Sequence, residues 1–328
     1  ASAAVGGRRA RSRSRSFAVP DCSTLPRIPR PLALAAAGTA AVGLGTLAYA
    51  GTIGLTRFTV RHERPAVLPP RARPLRILHI SDIHYVPGQR RKFAWLQSLA
   101  ELQPDLVVNT GDNLSHREAV PELLEALGPL LRVPGVFVTG SNDYHGPRLK
   151  NPLGYLVGPS APPAEPEHLP ADQLIAGFTG SGWIDLRNRA QEAVVAGRAV
   201  HLSGVDDPHI GLDRFAGWPR GTARDDVLRL GLAHAPVGST LTTFADTGAD
   251  LILAGHTHGG QVCLPGRRAL VTNCDLPRSQ AGGLSAVRSS TGREVALHVS
   301  AGIGTSRTAP LRFNCPPEAT VLDLLPRA

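Results

Sequence analysis

Five apolar runs in this chain each end in a carboxylate, a carboxamide or an imidazole, and that repeated pattern narrows what the chain can fold into. "LRILHISDIH" (75–84) ends in Asp82 and His84, and "LVVNTGDN" (106–113) in Asp112 and Asn113. "VFVTGSNDYH" (136–145) ends in Asn142, Asp143 and His145, "LGLAHAP" (230–236) in His234, and "LILAGHTHGGQ" (251–261) in His256 and His258. Short apolar runs bounded by Gly and polar residues read as buried strands. Helix-length stretches near 89–102 and 121–131 separate the first three. Strands alternating with helices build an α/β sheet, and ligands of such sheets gather beyond the carboxyl ends of the strands. Residues i and i+2 of an extended segment face the same side. On that basis Asp82 and His84, and likewise His256 and His258, would each reach one centre, and Gly259-Gly260 would let the chain turn tightly.

Each residue alone also has a plain structural use. Asp82 suits a helix cap, Asp112 and Asn142 suit turns, and His234 suits a satisfied core position. The order and spacing of all five runs favour a shared site. Shorter strands follow in the second half, "WIDLRN", "AVVAG", "AVHLSGV" and "EVALHVSAG" among them, and imply a second sheet packed on the first. The Pro-rich stretch 147–170 reads as a long surface loop or lid.

Charge bears on partners. The chain carries +9 overall, but residues 1–31 hold seven Arg against Asp21, and 56–76 hold six Arg against Glu63. These clusters exceed the whole surplus and leave residues 77–328 slightly acidic, which removes the main support for a nucleic-acid partner. Between the clusters, residues 32–55 contain no charge; as a helix this stretch exceeds the roughly 30 Å of a bilayer core. The expected organisation is a basic disordered segment (1–31), a transmembrane helix (32–55), a linker (56–74) and a globular domain (75–328). The alternative is a signal peptide cleaved after Ala50. Both place the domain outside the cytoplasm, with the Arg-rich N-terminus inside; Arg57, Arg61 and Arg64 weigh against that orientation. The basic linker offers contacts to anionic head groups. Cys263 and Cys274 are placed to pair across a hairpin, the alternative being buried thiols.

"SDIH", "GDN", the Asn of "GSND", "AHAP" and "GHTHGGQ", in this order, resemble the calcineurin-like metallophosphoesterase family over about residues 75–325. "GVDDP" (204–208) and the closing "GIGTSRTAPLRFNCPPEATVLDL" resemble its membrane-associated or exported bacterial branch. The resemblance implies a four-layer αββα sandwich with two divalent metal ions. Asp82, His84 and His258 would hold the first, and Asn142, His234 and His256 the second, with Asp112 bridging. Oxygen and imidazole donors without thiolate suit Mn, Fe or Zn. The implied chemistry is attack on phosphorus by a hydroxide shared between the metals. Asn113 would bind a phosphate oxygen or support its loop.

The third motif departs from the family pattern, Gly-Asn-His-Asp/Glu. Aligned on Asn142 as ligand, Asp143 takes the usual histidine position; aligned without a shift, Ser141 replaces the ligand. In either case the usual acid is replaced, with Asp143 or His145 as substitutes. Asp206, Asp207 and His209 are placed to line the pocket or to form a simple turn. The expected function is a membrane-anchored phosphohydrolase of a phosphodiester or diphosphate, its location pointing to a lipid or envelope precursor. The alternative is a catalytically weak metal-binding regulatory protein on the same fold.

Overall fold

The computed structural model describes residues 29–146, 167–220, 227–272, 274–305 and 309–327. The expected disordered segment (1–31) and the Pro-rich stretch (147–170) fall mostly outside them. Residues 29–44 are the outer part of helix α1 (Arg30–Gly51), with every side chain exposed. The stretch Arg30–Thr56, which adds the short α2 (Ile53–Thr56), is long and apolar enough to cross a bilayer by length and composition.

From Gly45 onward the chain forms one compact unit. Its first sheet contains β1 (Thr59–Glu63), β2 (Ala66–Leu68), β3 (Leu75–Ile80), β4 (Leu106–Asn109), β5 (Gly135–Phe137), β6 (Ile184–Asp185) and, at the C-terminus, β15 (Glu318–Pro326). The order is β1-β15-β3-β4-β5-β6, with β2 also paired to β15. The connections carry α3 (Arg90–Ser98), α4 (Ala119–Leu131), the single-turn α5 (Ser141–Tyr144) and α6 (Ala171–Gly180). The second sheet contains β7 (Arg189–Val195), β8 (Arg198–Gly204), β9 (Leu228–Leu232), β10 (Leu251–Ala254), β13 (Gly283–Arg288) and β14 (Glu294–Val299), ordered β13-β14-β10-β9-β8-β7. Helix α7 (Gly238–Asp246) joins β9 to β10, and a small hairpin, β11 (Cys263–Leu264) and β12 (Arg268–Ala269), follows β10.

Strand alternation explains the layers. On β3, Leu78 and Ile80 face α3, α4 and α6, while Leu75 and Ile77 face the other sheet. On β10, Leu251 and Leu253 enter the same inter-sheet core, and Ile252 and Ala254 pack with Phe244 of α7. Three apolar layers between four layers of elements make the expected αββα sandwich.

The expected linker is different. Residues 59–68 form β1 and β2, both parallel to β15. The basic residues here are partly committed: Arg61 of β1 pairs with buried Glu318 at 3.2 Å, and Arg76, just after the linker on β3, with Asp323 at 2.8 Å. Arg57, Arg64, Arg71 and Arg73 stay exposed. These strands escaped a pattern reading because they are short and mostly half-buried, so "TVRHE" shows no apolar run.

Candidate metal centre

The singled-out residues lie just past the ends of β3, β4, β5, β9 and β10, where the two sheets meet. The backbone there is left-handed, with φ of 50° at Asp82, 44° at His84, 56° at Asp112, 70° at His256 and 51° at His258. The i, i+2 pairs therefore do not project from extended strands. They converge because each chain coils as it leaves its sheet. Left-handed backbone at non-Gly residues is uncommon, is tolerated best by Asn, Asp and His, and clusters at functional sites.

Asp82, His84 and His258 bring ligand atoms within 4.8 Å of one another, and so do Asp82, Asp112 and His234. His84 Nε2 and His258 Nε2 are 3.3 Å apart, their rings stacked at 5.0 Å. One oxygen of Asp112, Oδ2, lies 3.6 Å from His84 Nε2 and 3.4 Å from His234 Nε2, between the two expected metal sets. The His256 ring stands edge-on to that of His234 at 5.2 Å, and His209 of the "GVDDP" loop lies 4.6 Å from His256. His256 is thus beside the second group, its backbone N–H donating to Asp82 at 3.0 Å.

Hydrogen bonding decides how these rings present their nitrogens. His234 Nδ1 lies 2.7 Å from the Thr110 carbonyl and must donate to it. Nε2 of the neutral ring is then a lone pair, buried without a hydrogen-bond partner and facing the Asp112 carboxylate. Two acceptors in that arrangement call for a cation or a proton between them. Burial works against charging His234, yet Asp112, Asp207 and Asp82 hold its pKa well above the usual imidazole range. Burial also opposes ionising Asp112, but His234, His84 and His256 hold it well below the carboxylate range. Burial lowers His84 to about 4 and raises Asp82 to about 6. The 3.6 Å approach of His84 to Asp112 is therefore between a neutral ring and a carboxylate. The neutral ring of His84 and the ionised Asp112 face the His234 Nε2, where a divalent cation would take the place of the proton that the surrounding carboxylates otherwise hold there.

A hydrogen-bonded chain between the sheets supports Asp82. Ser81 Oγ donates to Asp82 at 2.6 Å and accepts from Thr110 Oγ at 2.7 Å. Thr110 Oγ must then accept from His79 Nε2 at 2.9 Å, and His79 Nδ1 from His298 Nδ1 at 2.9 Å. Every proton points toward Asp82, an order inferred from the network itself. Neither His79 nor His298 was singled out from the sequence, where both look like strand residues.

The third motif arranges itself in an unexpected way. Asn142 donates to Asp112 from its side chain at 2.7 Å and from its backbone at 2.8 Å, so its carboxamide is at the centre. Gly140 lets this happen, because a Cβ there would sit 2.7 Å from the His234 ring and overlap the Asp112 carboxylate. Asp143, expected in the place of the acid, points inward. Its buried carboxylate accepts from the backbone N–H of Asp112 (3.0 Å), Asn113 (2.7 Å) and Gly140 (3.0 Å). Asn113 spends its side chain internally as well, accepting from Asn109 and donating to Asp143, rather than facing outward to a phosphate. His145 lies beyond α5 beside His168, with ring centroids 5.5 Å apart, and is in neither ligand group. Asp206 accepts from Thr139 (2.8 Å) and Tyr144 (2.8 Å), tying the "GVDDP" loop to the third motif.

Two buried cations were invisible to the sequence reading. Arg312, 1% exposed, donates to the carbonyls of Ala301 (2.6 Å), Gly302 (3.1 Å), Gly304 (2.6 Å) and Cys315 (3.1 Å). The segment it holds bonds in turn to the loop that carries Asp82, Ile303 N–H to Ser81 O and Gly304 N–H to Asp82 O. Lys92 donates to the carbonyls of Ile83 (2.7 Å) and His84 (3.3 Å). Cys263 does not pair with Cys274: its thiol and that of Cys315 both lie against the Gly259 carbonyl, at 3.2 Å and 3.6 Å.

An αββα sandwich that collects imidazoles and carboxylates where its two sheets meet defines a metal-dependent phosphoester hydrolase. The family model for calcineurin-like phosphoesterases matches residues 75–260, more than half of the chain, and the chain belongs to that family. Uncharacterized metallophosphoesterase YkuE of Bacillus subtilis (strain 168) is 27% identical over 302 residues, covering 87% of this chain and 93% of that one. Phosphodiesterase YaeI of Escherichia coli (strain K12) is 28% identical over 275 residues, covering 81% and 87%. A transmembrane protein with metallophosphoesterase domain from Bos taurus is 28% identical over 208 residues; the match covers 60% of this chain and less than half, 43%, of that protein.

Proposed function

We propose that this chain is a membrane-anchored, dinuclear-metal phosphohydrolase that cleaves a phosphodiester or diphosphate outside the cytoplasm. The observation that carries the reading is the position of Asp112 Oδ2, within 3.6 Å of His84 and 3.4 Å of His234, which suits a carboxylate bridging two cations. Asp82, His84 and His258 would hold one cation; Asn142, His234 and His256 the other. Two such cations, Mn, Fe or Zn by donor type, supply Lewis acidity and a water acidic enough to attack phosphorus near neutral pH.

The chain's own residues set the geometry. Asn142 holds Asp112 from one side, Thr110 fixes the His234 tautomer, and Ser115 lies 3.1 Å from His84 Nδ1. Asp143 shapes the loop carrying Asp112, and the leaving group departs without its help. The exposed apolar helix and the Arg-rich segment before it support anchoring with the domain outside, which favours a lipid or envelope precursor as substrate.

The test is hydrolysis of a chromogenic phosphodiester by the full chain with Mn, since β1 belongs to the sheet and a shortened domain would lose it. Asp112→Asn should abolish turnover. Tight metal binding by the wild type with no turnover of any phosphoester would replace this reading with that of a regulatory metal-binding protein.

A further inference from the structure

A cavity of about 680 Å3 opens beside the metal centre, on the face where the apolar helix enters the domain. Leu55 and Thr56 of α2 and Phe58 form one wall, and Val86 with the start of α3 the other. At its inner end it reaches His84 and Ser115. Volumes of this size hold small molecules in other proteins, and three observations say what fits this one.

First, the wall is the end of a helix whose composition suits a bilayer, so the mouth lies where a membrane would meet the domain. Second, the inner end is a candidate metal ligand, so a chain attached to a phosphate at the metals would run into the cavity. Third, Arg90 and Arg91 line it, both exposed and without an ion pair among the described residues, and supply positive charge for an anionic head. The walls are fixed in place. Phe58 stacks on Trp95 of α3 at 4.9 Å, and the Arg312 N–H bonds the Ala50 carbonyl at 2.9 Å.

We propose that this cavity seats the hydrocarbon chain of an amphiphilic phosphoester whose phosphate reaches the metal centre past His84. The proposal rests on the phosphohydrolase reading and adds to it the part of the substrate that is recognised. Chain length, rather than the phosphate alone, then decides which phosphoesters are processed.

The experiment uses the full chain in phosphatidylcholine nanodiscs. A hexadecyl phosphate with a diazirine near the chain end is crosslinked and mapped by mass spectrometry. Labels should fall on residues 51–58 and 86–92. Leu55→Trp, which narrows the cavity beside the metal centre, should lower that labelling about tenfold. The ratio of kcat/KM for hexadecyl over ethyl p-nitrophenyl phosphate should fall by a similar factor. Should Leu55→Trp disturb the fold, Arg90→Glu/Arg91→Glu on the surface should weaken the same labelling, more so at low salt. Labels away from the residues that line the cavity, or a ratio unmoved by both variants, would overturn the proposal. Labelling in the cavity with no turnover of either ester would overturn the hydrolase reading and keep the cavity. Turnover of both esters with no label there would do the reverse.

Discussion

Asp143→Asn separates two roles that a carboxylate at this position could play. One oxygen of Asp143 accepts from the N–H groups of Asp112 and Gly140, both at 3.0 Å, and the other from Asn113 N–H at 2.7 Å. An asparagine can reproduce only one of those oxygens. With its oxygen kept toward Asp112 and Gly140, its NH2 group would face the buried Asn113 N–H, donor against donor. Two buried donors left unsatisfied cost about 1–3 kcal/mol each, so the expected loss is about 4 kcal/mol. For a domain of this size that lowers Tm by roughly 10 °C. Asp112 would shift with its loop, weakening metal affinity, and a misplacement of about 1 Å costs on the order of a hundredfold in rate. Melting curves with and without Mn, a metal titration and turnover of esters with good and poor leaving groups provide the assay. A general acid behaves otherwise: its loss slows only esters with poor leaving groups and leaves Tm and metal affinity alone. That outcome would refute the loop-holding role.

Other perturbations follow the same physics. Arg312→Met strips donors from four carbonyls and should destabilise the fold by about 3–5 kcal/mol in a denaturant titration; a Cm equal to the wild type would show those carbonyls satisfied elsewhere. Gly140→Ala drives a methyl into Asp112 and His234, so bound Mn measured by metal analysis should drop while the far sheet edge keeps its hydrogen-exchange protection. Burial lowers His298 from 6.5 to about 4. Between those values the unfolded chain binds the extra proton, so this contribution is full above pH 6.5 and is lost on acidification toward pH 4, by about 3 kcal/mol. His298→Asn should flatten that part of the stability–pH curve of the chelated protein; an unchanged slope would assign it to other groups.

The α/β class was legible because β4 and β10 are fully buried apolar runs and β3 and β9 are half-exposed only near their starts, at Arg76 and Arg229, and burial on both faces leaves a nearly continuous hydrophobic stretch. β13 alternates exposure residue by residue and carries Gly283 and Arg288, so nothing marked it as a strand. At the candidate centre, the residues singled out by type are largely brought together. Asp82, His84, Asp112, His234 and His258 do cluster, yet by left-handed turns rather than by the alternation of a strand. The inward aim of Asp143 could not be read, since a one-turn helix gives a side chain no periodicity to betray its direction. Arg312, in a loop segment, and Lys92, in the Arg-rich first turn of α3, stayed hidden because a basic side chain reads as solvated until the tertiary structure closes over it.

The left-handed backbone at Asp82, His84, Asp112, His256 and His258 has a consequence for how such a chain changes over generations. The residues that ligate metals through oxygen or imidazole are also those that accept this backbone, so each position is selected twice, for chemistry and for shape. β-Branched and bulky replacements are excluded by shape alone, whatever becomes of the chemistry. Gly at these five positions would keep the backbone and the sandwich while removing the donor atoms, so the shape of this centre and its chemistry are separable in principle.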